Sequence, residues 1–248
     1  MPVALDRPDI VAERRFFAGL ALVVLAIVFL GFANTYYLWP LTRATHTATG
    51  RLLPSPTPPL VHVHAVLFSG WIVLFVAQAC LGARGRVGLH RRLGMAALGL
   101  VPLMVITGLA TAIHGGRTGW HPGGPYPDSL GFMVAGFRDI ANFTVLTGAG
   151  LLYRRRPDIH RRLMLLGTIG GLLWPAIVRV PFLAGRIVPL LTVLAALVLA
   201  PAVYDFRTRA RTRWLSLGLG LAILATFPGA VVVGTSGWWR AFATWVTQ

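Results

Sequence analysis

The chain has 248 residues, 56% of them hydrophobic and only 12% charged, where an ordinary soluble domain carries roughly 25% charged residues. Its formal net charge is +16, and all 23 basic residues are arginines. The charge deficit excludes an ordinary soluble domain, and the missing lysine excludes a retinal Schiff base, which needs an amine. The arginines flank apolar runs, so lipid headgroups rather than nucleic acid account for them.

Apolar runs fall at about 16–34, 60–80, 92–113, 130–152, 163–182, 187–204 and 214–234. Each approaches the ~20 residues that cross a hydrocarbon core. We therefore expect an all-α, polytopic seven-helix membrane bundle. The first run is followed by Asn34-Thr35-Tyr36-Tyr37 and not by a small-residue cleavage site, which predicts a retained helix. Cys80, the single cysteine, lies inside an apolar run and reads as a small buried hydrophobe.

Arginine placement predicts orientation. Arg7, Arg14 and Arg15 precede the first run; Arg84, Arg86, Arg91 and Arg92 separate the second and third. Arg154, Arg155, Arg156, Arg161 and Arg162 separate the fourth and fifth, and Arg207, Arg209, Arg211 and Arg213 the sixth and seventh. These sixteen alternate with the poorer side, which holds Arg43, Arg51, Arg117, Arg186 and Arg240. The expectation is N-terminus inside and C-terminus outside. The chain then divides into a cytoplasmic tail (1–15), a first helix with its outer loop (16–59), a core (60–182) and two last helices with an outer tail (183–248). Pro40, Pro54, Pro56, Pro58 and Pro59 predict an extended outer segment, and HGGRTGWHPGGPYPDS at 114–129 a second loop. Trp238, Trp239 and Trp245 read as interfacial anchors.

The core carries an internal repeat. A shift of 70 residues lays His90-Arg91-Arg92 on His160-Arg161-Arg162, which predicts a duplicated two-helix unit with a site at its interface. If the two helices adjoin, these imidazoles can hold one haem iron from opposite sides. In the second run His64, Trp71 and Gln78 recur every seven residues, a stripe that drifts only ~20° per step and faces the bundle interior. Helix reversal returns His114 towards His62 and His64. Arg138, Asp139 and Asn142 open the fourth run on that side, and Arg179 lies near the outer end of the fifth. Arg138 and Asn142, four apart, share a face. Two alternatives stand for this outer group: a ligand cavity, or an Arg138/Asp139 or Asp139/Arg179 pair that staples helices.

The pattern His64, Gln78, Arg84, His90-Arg91-Arg92-Leu93-Gly94 and His160-Arg161-Arg162-Leu163-Met164 resembles an uncharacterised bacterial multi-pass membrane family, over about half the chain. More distantly it is similar to the transmembrane two-haem b-type cytochromes. That likeness implies haem b between His90 and His160, with Arg84 in the position of their arginine. It also implies an outer site at His64, although the histidine expected in the fourth run is replaced by Arg138, Asp139 and Asn142. His64 would then pair with His114, stay five-coordinate or bind no haem.

Three readings follow. The first is a membrane redox protein with haem on His90 and His160, and a quinone or small-molecule reductant docking near His64, Trp71 and Gln78. The second is a metal-dependent enzyme with zinc or another transition metal among His62 or His64, His114 and Asp139. The third is a transporter or binding protein for an anion at Arg138, Asp139 and Arg179. Nothing in the sequence specifies an enzyme activity or an oligomeric state. No phosphate-binding glycine loop, nucleophile elbow or zinc-protease motif is present.

Overall fold

The computed structural model describes residues 8–48, 50, 52–53, 55–121 and 124–248. Arg7, Arg51, Pro54, Pro122 and Gly123, read above as part of the tail and loops, lie outside the described residues. Among the described residues there is no strand, only an isolated bridge between His46 and Leu52 in the first loop.

Helices start where the backbone can spare a donor. Pro59 opens α2 (Pro59–Ala83) and Pro157 opens α5 (Pro157–Thr168), each at a first-turn position whose N–H would lack a partner anyway. Asp128 caps α4 (Ser129–Leu152): its backbone is extended and its Oδ1 accepts from the Gly131 N–H at 2.8 Å. The remaining long helices are α1 (Pro8–Phe32), α3 (Val87–Arg117), α6 (Ile187–Arg207), α7 (Arg213–Gly234) and α8 (Gly237–Thr247); a π-helical segment at Ala33–Tyr37 and a four-residue helix at Trp39–Thr42 follow α1, so Pro40, expected in an extended segment, lies in a helical turn. Pro102, Pro201 and Pro228 sit inside α3, α6 and α7. Neighbouring helices make such breaks tolerable in a membrane.

Five helices (α1, α2, α3, α6 and α7) are long and apolar enough to cross a bilayer. Only 17% of the apolar window of α2 and of α3 is buried within the chain, and 33% of those of α1 and α6. The rest faces outward: Leu22 and Phe29 on α1, Val66 and Val73 on α2, and Ile106 on α3 are all exposed. Apolar surface on this scale demands an apolar solvent. The two runs outside those five, α4 and α5, are the most enclosed. α4 packs against α3, α5, α7 and α8 and carries Arg138, Asp139 and Asn142, polar groups that protein can surround and lipid cannot.

Two further features depart from expectation. The fifth run is not one helix over 163–182. α5 starts at Pro157, passes into a π-helical turn at Ile169–Leu173 and then a four-residue helix at Trp174–Ile177, and ends in turns. Pro175 explains the break, because it has no N–H for the Gly171 carbonyl and its ring crowds that turn. The wide turn lies directly on α4; a Cβ on Gly171 would stand 2.5 Å from the Phe143 Cβ and 2.7 Å from the Asp139 carbonyl oxygen. The second departure is the tail. Ser236 caps α8, which lays Trp239 into a small core of Met133, Val134, Ala230 and Ala243. Trp239 is therefore a packing residue, 5% exposed, with its indole N–H donating to the Leu130 carbonyl at 2.9 Å. Trp238 and Trp245 remain exposed.

Candidate functional site

The first turns of α3 and α5 bring His90 and His160 together, with ring centres 6.2 Å apart and planes at 87°. His90 Nδ1 lies 3.3 Å from the Gln78 carbonyl oxygen, and His160 Nδ1 lies 2.7 Å from that of Gly150. A carbonyl only accepts, so both Nδ1 atoms carry a proton, and in the neutral ring the lone pair is then on Nε2. This is the arrangement that fixes tautomer and ring orientation in metal-binding histidines. The Gln78 amide also donates to the His90 carbonyl at 3.0 Å, tying α2 to α3 reciprocally. Around the pair Arg84, Arg86, Arg91, Arg92, Arg155 and Arg156 are exposed.

Beside this pair lies a buried ionic network. Arg162, 1% exposed, donates from Nε to Asp205 Oδ2 at 2.7 Å, from Nη2 to Asp205 Oδ1, and from Nη2 to Glu13 Oε1 at 2.9 Å. Asp205 is fully buried and also accepts from Ser216 Oγ at 2.5 Å and Thr212 Oγ1 at 3.1 Å. Arg161 reaches the other Glu13 oxygen at 2.9 Å. The network joins α1, α5, α6 and α7, and Phe17 lies under the Arg162 guanidinium. None of Glu13, Asp205, Thr212 and Ser216 stood out in the sequence. The available signal was scarcity: an aspartate at the end of an apolar run, in a chain with only 7 acidic residues.

Along the second-run stripe, Trp71 is 1% exposed and donates its indole N–H to Thr168 Oγ1 at 3.2 Å, with Phe143 edge-on at 4.9 Å. At the other end of the bundle the expected residues divide into separate groups. Arg138 donates from Nε to Asp139 Oδ1 at 3.0 Å and lies 3.9 Å over the Phe227 ring. Asn142 donates to the Gly170 carbonyl at 3.3 Å and to Thr226 Oγ1 at 3.1 Å. Arg138 and Asn142 thus share the face towards α7, and the Arg138/Asp139 pairing is the one that forms. His62 is exposed beside Tyr36. His114 ends α3, its carbonyl capped by Thr118. Among the described residues no three His, Cys, Asp or Glu side chains come together to hold a metal ion. The set expected for zinc, His62 or His64 with His114 and Asp139, is thus not assembled, because Asp139 turns to its own neighbour on α4.

His64 and Arg179 remain. The His64 ring stacks on Phe68 with centres 3.9 Å apart, and its Nδ1 is buried without a hydrogen-bond partner. Arg179 lies over the Phe32 ring at 5.1 Å and donates to the Pro175 carbonyl at 2.5 Å. Comparison with known protein families, curated proteins and solved structures finds no match to the chain.

Proposed function

We propose that the chain is a redox protein of the bacterial cytoplasmic membrane that holds one b-type haem between His90 and His160. The observation that carries this reading is the 6.2 Å between the two ring centres. Two imidazoles on opposite faces of one iron stand about 6 Å apart at their centres, from Fe–N bonds of about 2 Å and roughly 1 Å from each nitrogen to its ring centre. The proton on each Nδ1 adds to the fit, since it leaves Nε2 as the ligating atom. Exposed arginines on both loops suit the propionates. Arg162 is not among them, being committed to Asp205 and Glu13, and Arg161 is committed to Glu13.

Haem b supplies a one-electron iron couple when bound. The chain's part would be to hold the two imidazoles through the carbonyls of Gln78 and Gly150, and to offer Arg84, Arg86, Arg91 and Arg92 to the carboxylates. A quinone or another small-molecule reductant is the proposed partner. The test is the visible spectrum of the purified protein, expressed with added haem, before and after dithionite. A Soret band in the parent, lost in both His90→Ala and His160→Ala, is the expected result. A colourless parent would sink the haem reading.

The same reading takes α4 and the broken fifth run as crossings, for seven in all, with the N-terminus inside and the C-terminus outside. The support is the arginine asymmetry and the enclosure of α4 by its neighbours. In a Cys80-free background, cysteines at positions 210 and 238 should react with an impermeant reagent in intact cells only at 238. Labelling at 210 alone would reverse the topology.

A further inference from the structure

We propose that a cavity between α1 and α2, at the arginine-rich end of the bundle, seats the phosphate of an anionic phospholipid between Arg15 and Arg84. The site does not depend on the haem reading.

The cavity measures about 460 Å³ and is lined by Arg15 and Ala18 of α1 and by Cys80, Ala83 and Arg84 at the end of α2. That size is within the roughly 300–1,000 Å³ of small-molecule sites. Residues three and four apart share a helix face, so Arg15 with Ala18, and Cys80 with Ala83 and Arg84, each turn one face towards it. The two alanines supply the room where α1 and α2 pack together. Cys80, expected as a buried hydrophobe, is only partly buried and lines the wall. Among the described residues neither Arg15 nor Arg84 pairs with a carboxylate, and Glu13 is held by Arg161 and Arg162. The C-terminal end of α2 suits Arg84 on its own account, because the carbonyls there are partly negative, but it gives Arg15 no partner. Two like charges thus border one cavity with no anion between them.

Two guanidinium forks on separate helices select a tetrahedral phosphate. A carboxylate fills one fork in its plane, whereas phosphate oxygens point several ways and can meet two donors at once. The depth selects a lipid as the source. Arg15 immediately precedes the apolar run of α1 and Arg84 follows that of α2, so both stand at the boundary where headgroups lie. Basic pockets between spanning helices are known seats for anionic headgroups. Ala18, Cys80 and Ala83 give the cavity an apolar floor, which suits glycerol and the first acyl carbons and offers a free ion nothing in place of its water. A net charge of +16 repels the cation of a choline headgroup, so phosphatidylglycerol fits and phosphatidylcholine does not.

Cys80, the single cysteine, reports on the cavity. The experiment follows its alkylation by N-ethylmaleimide in the detergent-purified protein, washed free of lipid, with phosphatidylglycerol, phosphatidylcholine or inorganic phosphate added. The melting temperature is read on the same samples, since a ligand of the native state raises it with concentration. We expect phosphatidylglycerol to slow alkylation severalfold and to raise the melting temperature, and the other two to do neither at equal ionic strength. Arg15→Gln should weaken phosphatidylglycerol binding by roughly tenfold, as loss of a charge-assisted hydrogen bond requires. Arg15 is exposed, so this substitution leaves the packing intact. Arg211→Gln removes the same charge from an exposed loop position at the same end and should leave binding unchanged. Equal protection by phosphatidylcholine would overturn the proposal in favour of a lipid contact without headgroup selection, and equal protection by phosphate in favour of a free-anion site. So would no protection by any of the three, or undiminished phosphatidylglycerol binding in Arg15→Gln. Arg84 is also among the arginines offered to the propionates, so Arg15 carries the test. The Soret band should persist in Arg15→Gln, and protection by phosphatidylglycerol should persist in His90→Ala, so loss of the haem and loss of this site are separable.

Discussion

His90-Arg91-Arg92 and His160-Arg161-Arg162 are the same three residues opening two helices of one repeat, and they end in different surroundings. Both imidazoles donate to a carbonyl of the preceding helix, and their ring centres lie 6.2 Å apart. The arginines diverge. Arg92 is exposed, whereas its counterpart Arg162 is buried against Asp205 and Glu13. The repeated motif fixes what is local, a histidine in a first turn, and partners far away in sequence decide whether the neighbouring charge meets water or a carboxylate. The two histidines hold matching places, and partners on α1, α6 and α7, outside the repeated segment, set the two arginines apart.

The largest expected effect breaks the comparison on its buried side. Arg162→Leu leaves Asp205 buried without its cation and should cost about 3–5 kcal/mol, the usual penalty for removing one member of a buried pair. The equivalent Arg92→Leu should change stability by no more than about 0.5 kcal/mol, as exposed substitutions do. Thermal or denaturant unfolding in detergent separates the two. Equal effects would mean that the network carries no special weight.

A smaller effect sharpens the comparison on the other side. Only the first unit has a Gln78, whose amide reaches the His90 carbonyl; the position 70 residues later is Gly148. Gln78→Leu loses that bond, worth about 1 kcal/mol, but also removes an Oε1 that is buried without a partner. The net loss should therefore fall below that figure and be confined to the α2–α3 hairpin, seen as faster amide exchange at the start of α3. Unchanged exchange there would show that the hairpin does not rely on the amide.

The smallest effect sets the buried network against an exposed pair. Arg240 donates to Asp128 Oδ2 at 2.8 Å, and this bond, followed by the Gly131 N–H, holds the Asp128 carboxyl below its ordinary value of 3.8. A lowered folded-state value stabilises the protein above about pH 4 and is lost as pH falls through it. Both side chains are more than a third exposed, so solvent screens most of the gain. Asp128→Asn should slightly flatten the fall in melting temperature below pH 4 and leave neutral stability nearly unchanged. A large drop at pH 7 would mean that Asp128 acts chiefly as the α4 cap.

The sequence by itself determined that the chain is helical and lipid-solvated, where the apolar runs lie, and that His90 and His160 hold equivalent places. Hydropathy, helical period and repetition are local properties, read without knowing which helix neighbours which. The stripe reading was legible for the same reason, and Trp71 is indeed inside. Tertiary structure alone decided the rest. Arg162 and Asp205 are 43 residues apart, and nothing in either neighbourhood names the other. The sequence left Asp139 two possible cations; it pairs with Arg138, whose guanidinium lies over Phe227 of α7, and among the described residues Arg179 has no carboxylate partner. The break at Ile169–Leu173 needed both Pro175 and the close contact of Gly171 with α4. Trp239 became core instead of an anchor because Ser236 starts a further helix that folds back over α4. In each case the choice belongs to packing, where a side chain's energy depends on which surface stands opposite it.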